Sequence, residues 1–222
     1  MSKPASPEPA QDSRTRLLNA ALTLIRTNGL TATRVDDICA AAGLSKGSFF
    51  HHFESKEALA VAAARHWSEM TGNLFASAPY HAPADPLDRV LAYIEFRKQL
   101  VQGDVPQFTC LVGTMVQEAY FSNPVIREAC EASITGHAHT LVADIAAAKQ
   151  KYAAQAPWSP ESLALHTQAV IQGAFILAKA QNNAGPAIES IEHLKHYFEL
   201  LFGRSPSPAA RQAKRVTRKR ST

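Results

Sequence analysis

Apolar residues recur at intervals of three and four along almost the whole chain, and stretches that alternate between apolar and polar residues are scarce. The first spacing matches the 3.6-residue turn of an α-helix, whereas a half-buried strand alternates with a period of two. Alanine and leucine, both favourable in helices, fill many of these positions. The pattern therefore predicts an all-α fold.

Closely spaced glycines divide the N-terminal region into short helices. One apolar stripe ends at Asn28-Gly29 and the next ends at Gly43, and glycine is the usual residue just after the last turn of a helix. A short helix from Ser45 to His52 follows, and a longer one comes after it. Two short helices joined by a tight turn form a helix-turn-helix. The side chains expected to pack inward here are Cys39, Phe49 and Phe53.

A proline-rich stretch from Pro79 to Pro86 separates this N-terminal region from a longer helical one. Apolar periodicity in the longer region predicts five helices, the third of which can break near Gly136. The predicted ranges are 86–101, 106–121, 123–153, 160–182 and 187–202.

Positive charge is concentrated at the C-terminal end. The whole chain has a net charge of +4. Residues 204–222 contain seven Lys and Arg residues and no acidic residue, whereas residues 71–203 have a net charge of −4. The basic character therefore belongs to a tail and not to the folded body. Such a tail either adds nonspecific contact with nucleic acid or is a solvated, disordered end.

Several classes of protein are excluded by composition and motif content. No apolar run approaches the roughly 20 residues needed to cross a membrane, and the N-terminus is polar and proline-rich, unlike a secretory signal. The three cysteines show no CxxC spacing, which predicts no structural zinc and indicates a reducing cytoplasm. The nucleophile, metalloprotease and phosphate-binding motifs of common enzymes are absent. We expect neither an enzyme nor a metal or cofactor.

Three consecutive predicted helix starts share one pattern. A hydroxyl residue suited to the N-cap precedes a cation in the pairs Thr33-Arg34, Ser45-Lys46 and Ser55-Lys56. Thr33 also has Asp36 three residues later, as in a capping box. A cation at the first turn is unfavourable for the helix dipole. Three such starts therefore indicate that the free N–H groups and the cations together meet a row of phosphates.

The second helix of a helix-turn-helix enters the major groove of DNA, with its first residues facing the base edges. In this chain those residues are Ser45, Lys46, Gly47 and Ser48. Gly47 is a poor helix former, but its lack of a side chain allows close approach to a base or phosphate. Lys46 can bind either a guanine edge or a phosphate, and both alternatives stay open.

The stretch TRVDDICAAAGLSKGSFFHHFESKEAL, from residue 33 to residue 59, resembles the DNA-binding domain of TetR-type transcriptional regulators. The resemblance extends over about residues 12–70. It implies that Thr33, Lys46, the residue at position 50 and Lys56 contact the DNA backbone. Family members usually have Tyr where this chain has Phe50, so we expect apolar contact there, with His51 able to supply a phosphate contact. The predicted DNA-binding residues are Thr33, Arg34, Ser45, Lys46, Gly47, Ser48, Phe50, His51, His52 and Lys56.

The stretch FTCLVGTMVQEAYFSNPVIREA resembles the middle helices of the ligand-binding and dimerisation half of the same family, and the last two long helices resemble its dimerisation pair. The resemblance implies a homodimer and an unknown small-molecule effector. The predicted dimer contacts are Ala169, Gly173, Ile176, Ala180, Leu194, Phe198 and Leu201. The predicted pocket residues are Tyr93, Phe96, Phe108, Cys110, Met115, Gln117, Phe121 and Phe175, for which ordinary core packing is the alternative.

Together these features predict a ligand-responsive repressor that binds a palindromic operator in double-stranded DNA as a dimer. The alternative is a helical small-molecule-binding or protein-interaction module without specific DNA binding. We expect a cytoplasmic protein that is associated with the nucleoid when bound to DNA. The predicted organisation is a disordered N-terminus (1–11), a three-helix DNA-binding domain (12–72), a helical-bundle domain for ligand binding and dimerisation (73–203) and a basic disordered tail (204–222).

Overall fold

A computed structural model describes residues 12–204, and the predictions for residues 1–11 and 205–222 lie outside these described residues. All regular structure between residues 12 and 204 is helical, which confirms the all-α prediction. A single 3-10 turn lies at Pro79–His81. The α-helices are α1 (Ser13–Asn28), α2 (Val35–Ala42), α3 (Lys46–His52), α4 (Lys56–Ala76), α5 (Pro86–Gln99), α6 (Val105–Phe108), α7 (Leu111–Ala119), α8 (Pro124–His139), α9 (Val142–Tyr152), α10 (Pro160–Gln181) and α11 (Gly185–Leu201).

Two predicted helices are each divided in the structure. The range predicted as 106–121 is divided into α6 and α7, because the backbone adopts an extended conformation at Thr109. The range 123–153 contains α8 and α9, but the break lies after His139 and not at Gly136. The Thr140 N–H and hydroxyl both bond to the His137 carbonyl oxygen, at 3.2 and 2.7 Å. These bonds satisfy a carbonyl at the end of α8 and stop the helix there.

The chain forms two compact units. Among the described residues, the first contains residues 12–73 together with Cys110–Ser133, and the second contains Leu74–Thr109 and residues 134–204. The sequence division at residue 72 assigned Cys110–Ser133 to the C-terminal domain, whereas the structure groups this segment with the N-terminal helices.

In the first unit, α1 contacts α2, α3 and α7. Its apolar stripe is buried because the spacing of three and four places these residues on one face. The predicted inward packing of Cys39, Phe49 and Phe53 is confirmed, since all three are buried. The largest fully buried side chains of this unit are Leu17, Leu18, Ile25, Ile38, Phe49, Leu59, Leu111 and Met115.

In the second unit, α5 and α10 each pack against α9 and α11. Leu194 and Phe198 of α11 are buried in the core of this unit. The prediction that they contact a second subunit is therefore wrong, because their side chains are already covered by the same chain. Other buried side chains of this core are Tyr93, Ile94, Ile145, Ile171 and Ile191.

Between residues 12 and 204, none of the helices is both long enough and apolar enough to cross a membrane. Over the same part of the chain, no group of three or more His, Cys, Asp or Glu side chains could hold a metal ion.

Candidate nucleic-acid interface

The turn between α2 and α3 depends on Gly43. This residue has φ 63° and ψ 39°, the left-handed conformation that a side chain disfavours. Its N–H bonds to the Ala40 carbonyl oxygen at 3.1 Å, and the Leu44 N–H bonds to the Cys39 carbonyl oxygen at 2.9 Å. Arg16 of α1 donates to the Ala42 carbonyl oxygen at 2.6 Å. These bonds satisfy the last carbonyls of α2 and fix where α3 begins.

Helix α3 is anchored on one side and exposed on the other. The Ser45 hydroxyl oxygen accepts from the Ser48 N–H at 3.1 Å, which confirms Ser45 as the N-cap. Phe49 is fully buried and attaches α3 to the core of its unit. Phe50, whose ring packs edge-on against that of Phe49 at 5.2 Å, is 55% exposed. The other exposed side chains of this helix start are Ser45, Lys46 and His51, and Gly47 is exposed beside them.

Lys46 forms an ion pair across the helix-turn-helix. Its Nζ lies 2.8 Å from Asp36 Oδ1, and the two side chains are 61% and 59% exposed. An exposed pair of this kind contributes at most about 1 kcal/mol to stability. The Lys46 ammonium can therefore exchange Asp36 for an external anion at little cost.

The start of α2 differs from the prediction. Thr33 is only 1% exposed, and its hydroxyl donates to the Gly29 carbonyl oxygen at 2.6 Å. The N-cap is Arg34, whose N–H bonds to Asp37 Oδ2 at 3.2 Å. The predicted cap by Thr33 and Asp36 is therefore wrong by one residue. The Arg34 guanidinium also bonds to Asp37 at 3.3 Å, and this bond, followed by that from the Arg34 backbone, lowers the pKa of Asp37.

Lys56, at the start of α4, is directed toward its own chain. The Ser55 hydroxyl accepts from the Ala58 N–H at 3.1 Å, so the predicted N-cap at Ser55 is confirmed. The Lys56 ammonium donates to the carbonyl oxygens of Leu30, Thr31 and Thr33, at 3.1, 3.3 and 3.2 Å. An ammonium has three N–H donors, and each has a carbonyl acceptor here. These bonds give Lys56 a structural role in the loop before α2, whereas the sequence predicted a phosphate contact.

The same loop is held by a residue that the sequence prediction did not assign. Glu118 of α7 accepts from the Leu30 N–H at 2.9 Å and the Thr31 N–H at 2.7 Å. A Cβ at Gly29 would lie 2.5 Å from Glu118 Oε1, and Gly29 also has a positive φ of 88°. The backbone conformation therefore favours glycine at this position, and any larger residue would also have to displace the Glu118 carboxylate.

The two adjacent histidines are oriented differently. His52 is half-buried, and its Nε2 lies 2.6 Å from the Ser13 hydroxyl of α1. His51 is exposed next to Phe50. Of the ten predicted DNA-binding residues, the structure therefore brings most to the outer side of α3, but it buries Thr33 and engages Lys56 with backbone carbonyls.

The predicted pocket residues are divided equally between the two units. Tyr93, Phe96, Phe108 and Phe175 belong to the second unit, where the rings of Phe108 and Phe175 lie 5.9 Å apart. The other four belong to the first unit and have different surroundings there. Cys110 caps α7 by accepting from the Gly113 N–H at 3.4 Å, and Met115 is buried in the core.

Two of the pocket predictions in the first unit are wrong. Gln117 is exposed, and its amide donates to the Gly113 carbonyl oxygen of its own helix at 2.7 Å. Phe121 is 87% exposed because α7 ends at Ala119 and leaves it in the following turn. A side chain this exposed lines no enclosed site.

The outer face of α10 carries the remaining predicted dimer contacts. Ala169, Ile176 and Ala180 are exposed there, Gly173 is partly exposed, and Leu201 of α11 is half-buried. A Cβ at Gly173 would meet no atom within 4 Å. Large apolar side chains that the prediction omitted are also exposed on these two helices: Leu165, Leu177, Ile188, Tyr197 and Leu200.

Comparisons with known proteins match both halves of the chain. Residues 17–63 match the family described as "Bacterial regulatory proteins, tetR family". Residues 86–194 match the family described as "Tetracyclin repressor-like, C-terminal domain".

Curated relatives resemble mainly the N-terminal part. The HTH-type transcriptional repressor KstR2 of Rhodococcus jostii (strain RHA1) is 48% identical over 60 residues, which are 24% of this chain and 29% of that protein. The regulator UidR of Escherichia coli (strain K12) is 46% identical over 50 residues, which are 22% of this chain and 26% of that protein. The match thus spans less than a third of these two relatives. The regulator LmrA of Bacillus subtilis (strain 168) is 26% identical over 185 residues, covering 80% of this chain and 92% of LmrA.

Solved structures share the fold over most of the chain. A TetR transcriptional regulator from Chloroflexus aurantiacus J-10-FL has a TM-score of 0.71 and 28% identity, covering 83% of this chain and 93% of that one. Regulatory protein TetR from Rhodobacter sphaeroides has a TM-score of 0.72 and 22% identity, covering 86% and 98%. At the lower identity the likeness concerns the fold alone.

Proposed function

Because the chain belongs to the TetR family of bacterial regulatory proteins, we propose that it is a transcriptional repressor that binds a palindromic operator as a homodimer and is released by a small-molecule effector. The observation that carries the proposal is the two-sided environment of α3. Phe49 fixes the helix to the core, while Ser45, Lys46 and Gly47 remain open at its start. Such a repressor acts on chromosomal DNA, which assigns it to the cytoplasm, at the nucleoid when bound.

The first turn of α3 reads the major groove in this proposal. Lys46 leaves its exposed partner Asp36 and binds a guanine edge or a phosphate. A Cβ at Gly47 would lie 3.6 Å from Ser45 Oγ, which is an ordinary contact. Packing within this chain therefore does not require glycine at position 47, and close approach of the backbone to DNA explains it instead.

The neighbouring side chains position the reading helix on the DNA. The exposed Arg34 and His51 bind phosphates, and Ser48 lies beside them in the groove. Phe50 has no hydroxyl and makes apolar contact with a sugar or a thymine methyl group. His52, held by Ser13, supports α3 from the side of α1.

Dimerisation occurs through α10 and α11. The exposed apolar residues Leu165, Ile176 and Leu177 of α10 and Leu200 of α11 supply the surface, and the small residue Gly173 allows a close approach of two helices. A two-fold dimer presents two copies of α3, which requires operator half-sites about 34–36 Å apart.

The test is a binding titration with duplex DNA from the region upstream of the gene that encodes this chain. Fluorescence anisotropy at several salt concentrations is compared with that of a shuffled duplex of the same length. We expect tighter binding to the upstream duplex and a steep salt dependence. Equal affinity for the two duplexes would contradict specific DNA binding and favour the alternative of a protein-interaction or small-molecule-binding module.

A further inference from the structure

Two hydrogen-bond donors converge on one ring nitrogen in the second unit. Tyr93 of α5 has its hydroxyl oxygen 2.9 Å from His137 Nε2. Arg97, one turn later on α5, has its Nη1 3.4 Å from the same nitrogen. Gln168 of α10 donates to the Tyr93 hydroxyl at 3.2 Å, so that hydroxyl has its own proton available for Nε2.

His137 Nε2 cannot accept hydrogen bonds from both Tyr93 and Arg97. An unprotonated imidazole nitrogen offers a single lone pair, and a protonated one offers none. In neither neutral tautomer can His137 Nε2 accept from both Tyr93 and Arg97. The closer Tyr93 hydroxyl is the better partner of Nε2. The Arg97 guanidinium has five N–H donors, and its hydrogen-bond contacts here are the long 3.4 Å contact to His137 and a bond to the Tyr93 hydroxyl, both to neutral groups.

The Arg97 charge is also uncompensated. Among residues 12–204 no carboxylate pairs with its guanidinium, although Lys98 on the same helix pairs with Glu192 at 2.7 Å and Arg89 pairs with Asp144 at 2.7 Å. His137 cannot supply a counter-charge, since an imidazole is either neutral or positive, and burial, followed by the Arg97 charge, lowers the pKa of His137 to about 3 and keeps it neutral. A half-buried cation whose partners are all neutral is unfavourable, and an anion would relieve this cost and accept from the remaining N–H donors.

Aromatic rings surround the cation. The guanidinium carbon lies 5.2 Å from the ring centre of Phe75 and 6.0 Å from that of Phe175. Phe96 packs edge-on against Phe75 at 5.6 Å, and Phe108 lies 5.9 Å from Phe175. The surroundings of Arg97 thus suit an apolar body attached to the anion.

We propose that Arg97 is the anion-binding residue of an effector site and that the effector is a monocarboxylate with an apolar or aromatic body. The planar guanidinium pairs with both oxygens of a carboxylate, which replaces the long contact to His137. One cation matches one negative charge, whereas a phosphate monoester carries about 1.5–2 charges at pH 7. This inference rests on the proposed function, since it names the chemistry of the effector.

The experiment measures ligand binding to the full chain by calorimetry, without DNA. The probes are 4-phenylbutyrate, 2-naphthoate and octanoate, each paired with its uncharged primary amide of nearly equal size, and 2-naphthyl phosphate. We compare the wild-type chain with Arg97→Met, which keeps the apolar bulk, and with Arg97→Lys, which keeps the charge but lacks the planar pair of N–H donors. The matched control is Arg65→Met, which removes an exposed arginine of α4.

We expect at least one acid to bind about 10- to 100-fold more tightly than its amide, the difference expected for a hydrogen-bonded charge pair. Arg97→Met abolishes the difference, Arg97→Lys gives an intermediate value, and Arg65→Met changes nothing. Binding of no acid, equal binding of acid and amide, tighter binding of 2-naphthyl phosphate than of 2-naphthoate, or unchanged acid binding by Arg97→Met would overturn the proposal. If Arg97→Met does not fold, the comparison of acid with amide on the wild-type chain and on Arg97→Lys decides.

The same protein is tested for operator binding in the absence of any acid. Acid binding without operator binding would contradict the proposed function and support the ligand site. Operator binding without acid binding would contradict the ligand site alone.

Discussion

Glu118 and Lys56 bind the same loop through complementary backbone groups, Glu118 through N–H groups and Lys56 through carbonyl oxygens. The Glu118 carboxylate accepts from the N–H groups of Leu30 and Thr31, and the Lys56 ammonium donates to the carbonyl oxygens of the same two residues. Lys56 also reaches the Thr33 carbonyl oxygen at 3.2 Å. The segment that leads into α2 is therefore fixed by the first residue of α4 and by a residue of α7. We call the side chains of Glu118 and Lys56 the clamp. Because α3 follows α2 after a tight turn, the clamp helps to fix the position of α3, the proposed DNA-reading helix.

Removing the acidic half of the clamp should loosen this loop. Glu118→Ala leaves two backbone N–H groups without their acceptor, and we expect a loss of about 1–2 kcal/mol in the free energy of unfolding, reduced by the exposure of Glu118. Urea denaturation measures it. Glu128→Ala, which removes an exposed glutamate of α8, is the control and should change stability little. Equal stability of the two variants would show that the clamp contributes nothing.

Removing Lys56, the basic half of the clamp, should also lower stability. The salt dependence of DNA binding shows whether Lys56 contacts a DNA phosphate. Lys56→Met keeps the apolar stem and loses three hydrogen bonds, so we expect a loss of about 1–3 kcal/mol in the free energy of unfolding. The slope of log K against log salt should stay that of the wild type, since Lys56 is engaged with carbonyls. A slope smaller by about one phosphate would instead assign Lys56 to the DNA backbone.

The sequence predicted local features of this region well and distant ones poorly. The caps at Ser45 and Ser55 depend on a partner three residues away, so spacing alone identifies them. The cap of α2 was misassigned because Asp36 and Asp37 are adjacent acids, and a shift of one residue exchanges their roles. The bond from Leu30 to Glu118 joins residues 88 positions apart, and no local pattern encodes such a contact.

The prediction that Leu194 and Phe198 contact a second subunit failed for a different reason. Helix α11 has apolar residues on more than one face, so periodicity identifies a helix without indicating which face meets its own core. Leu194 and Phe198 lie on the buried face, whereas Leu200 lies on the exposed one. Only the packing of α5 and α10 against α11 distinguishes them.

Gly47→Ala separates folding from DNA binding. A Cβ fits at this position, and alanine is more favourable in a helix by up to about 1 kcal/mol, so the variant should be as stable as the wild type or slightly more stable. Operator affinity should fall, because the added methyl group lies where the backbone approaches DNA. The matched control is Gly72→Ala in α4, where a Cβ would meet nothing within 4 Å. If Gly47→Ala binds the operator as tightly as Gly72→Ala does, the close approach is refuted.

Lys46→Ala should weaken operator binding by about 1–3 kcal/mol, the range for a specific base contact or a charged phosphate contact. Its thermal midpoint should change little, since the ion pair with Asp36 is exposed. Asp36→Ala frees the Lys46 ammonium and should leave operator affinity equal or raise it. Anisotropy titrations of both variants measure these effects. A Lys46→Ala variant with wild-type operator affinity would contradict the proposed placement of α3 in the major groove.

Ile176→Glu should convert a dimer into a monomer. Ile176 is 47% exposed on the outer face of α10, so a carboxylate there is tolerated in the isolated chain but must be buried when two copies pair. Sedimentation velocity at micromolar concentration should show a dimer for the wild type and a monomer for this variant, and operator affinity should fall because two half-sites are no longer bound together. Val125→Glu introduces the same charge at an exposed position of α8 and serves as the control. A wild-type chain that sediments as a monomer, or an Ile176→Glu variant that remains a dimer, would exclude this face as the interface.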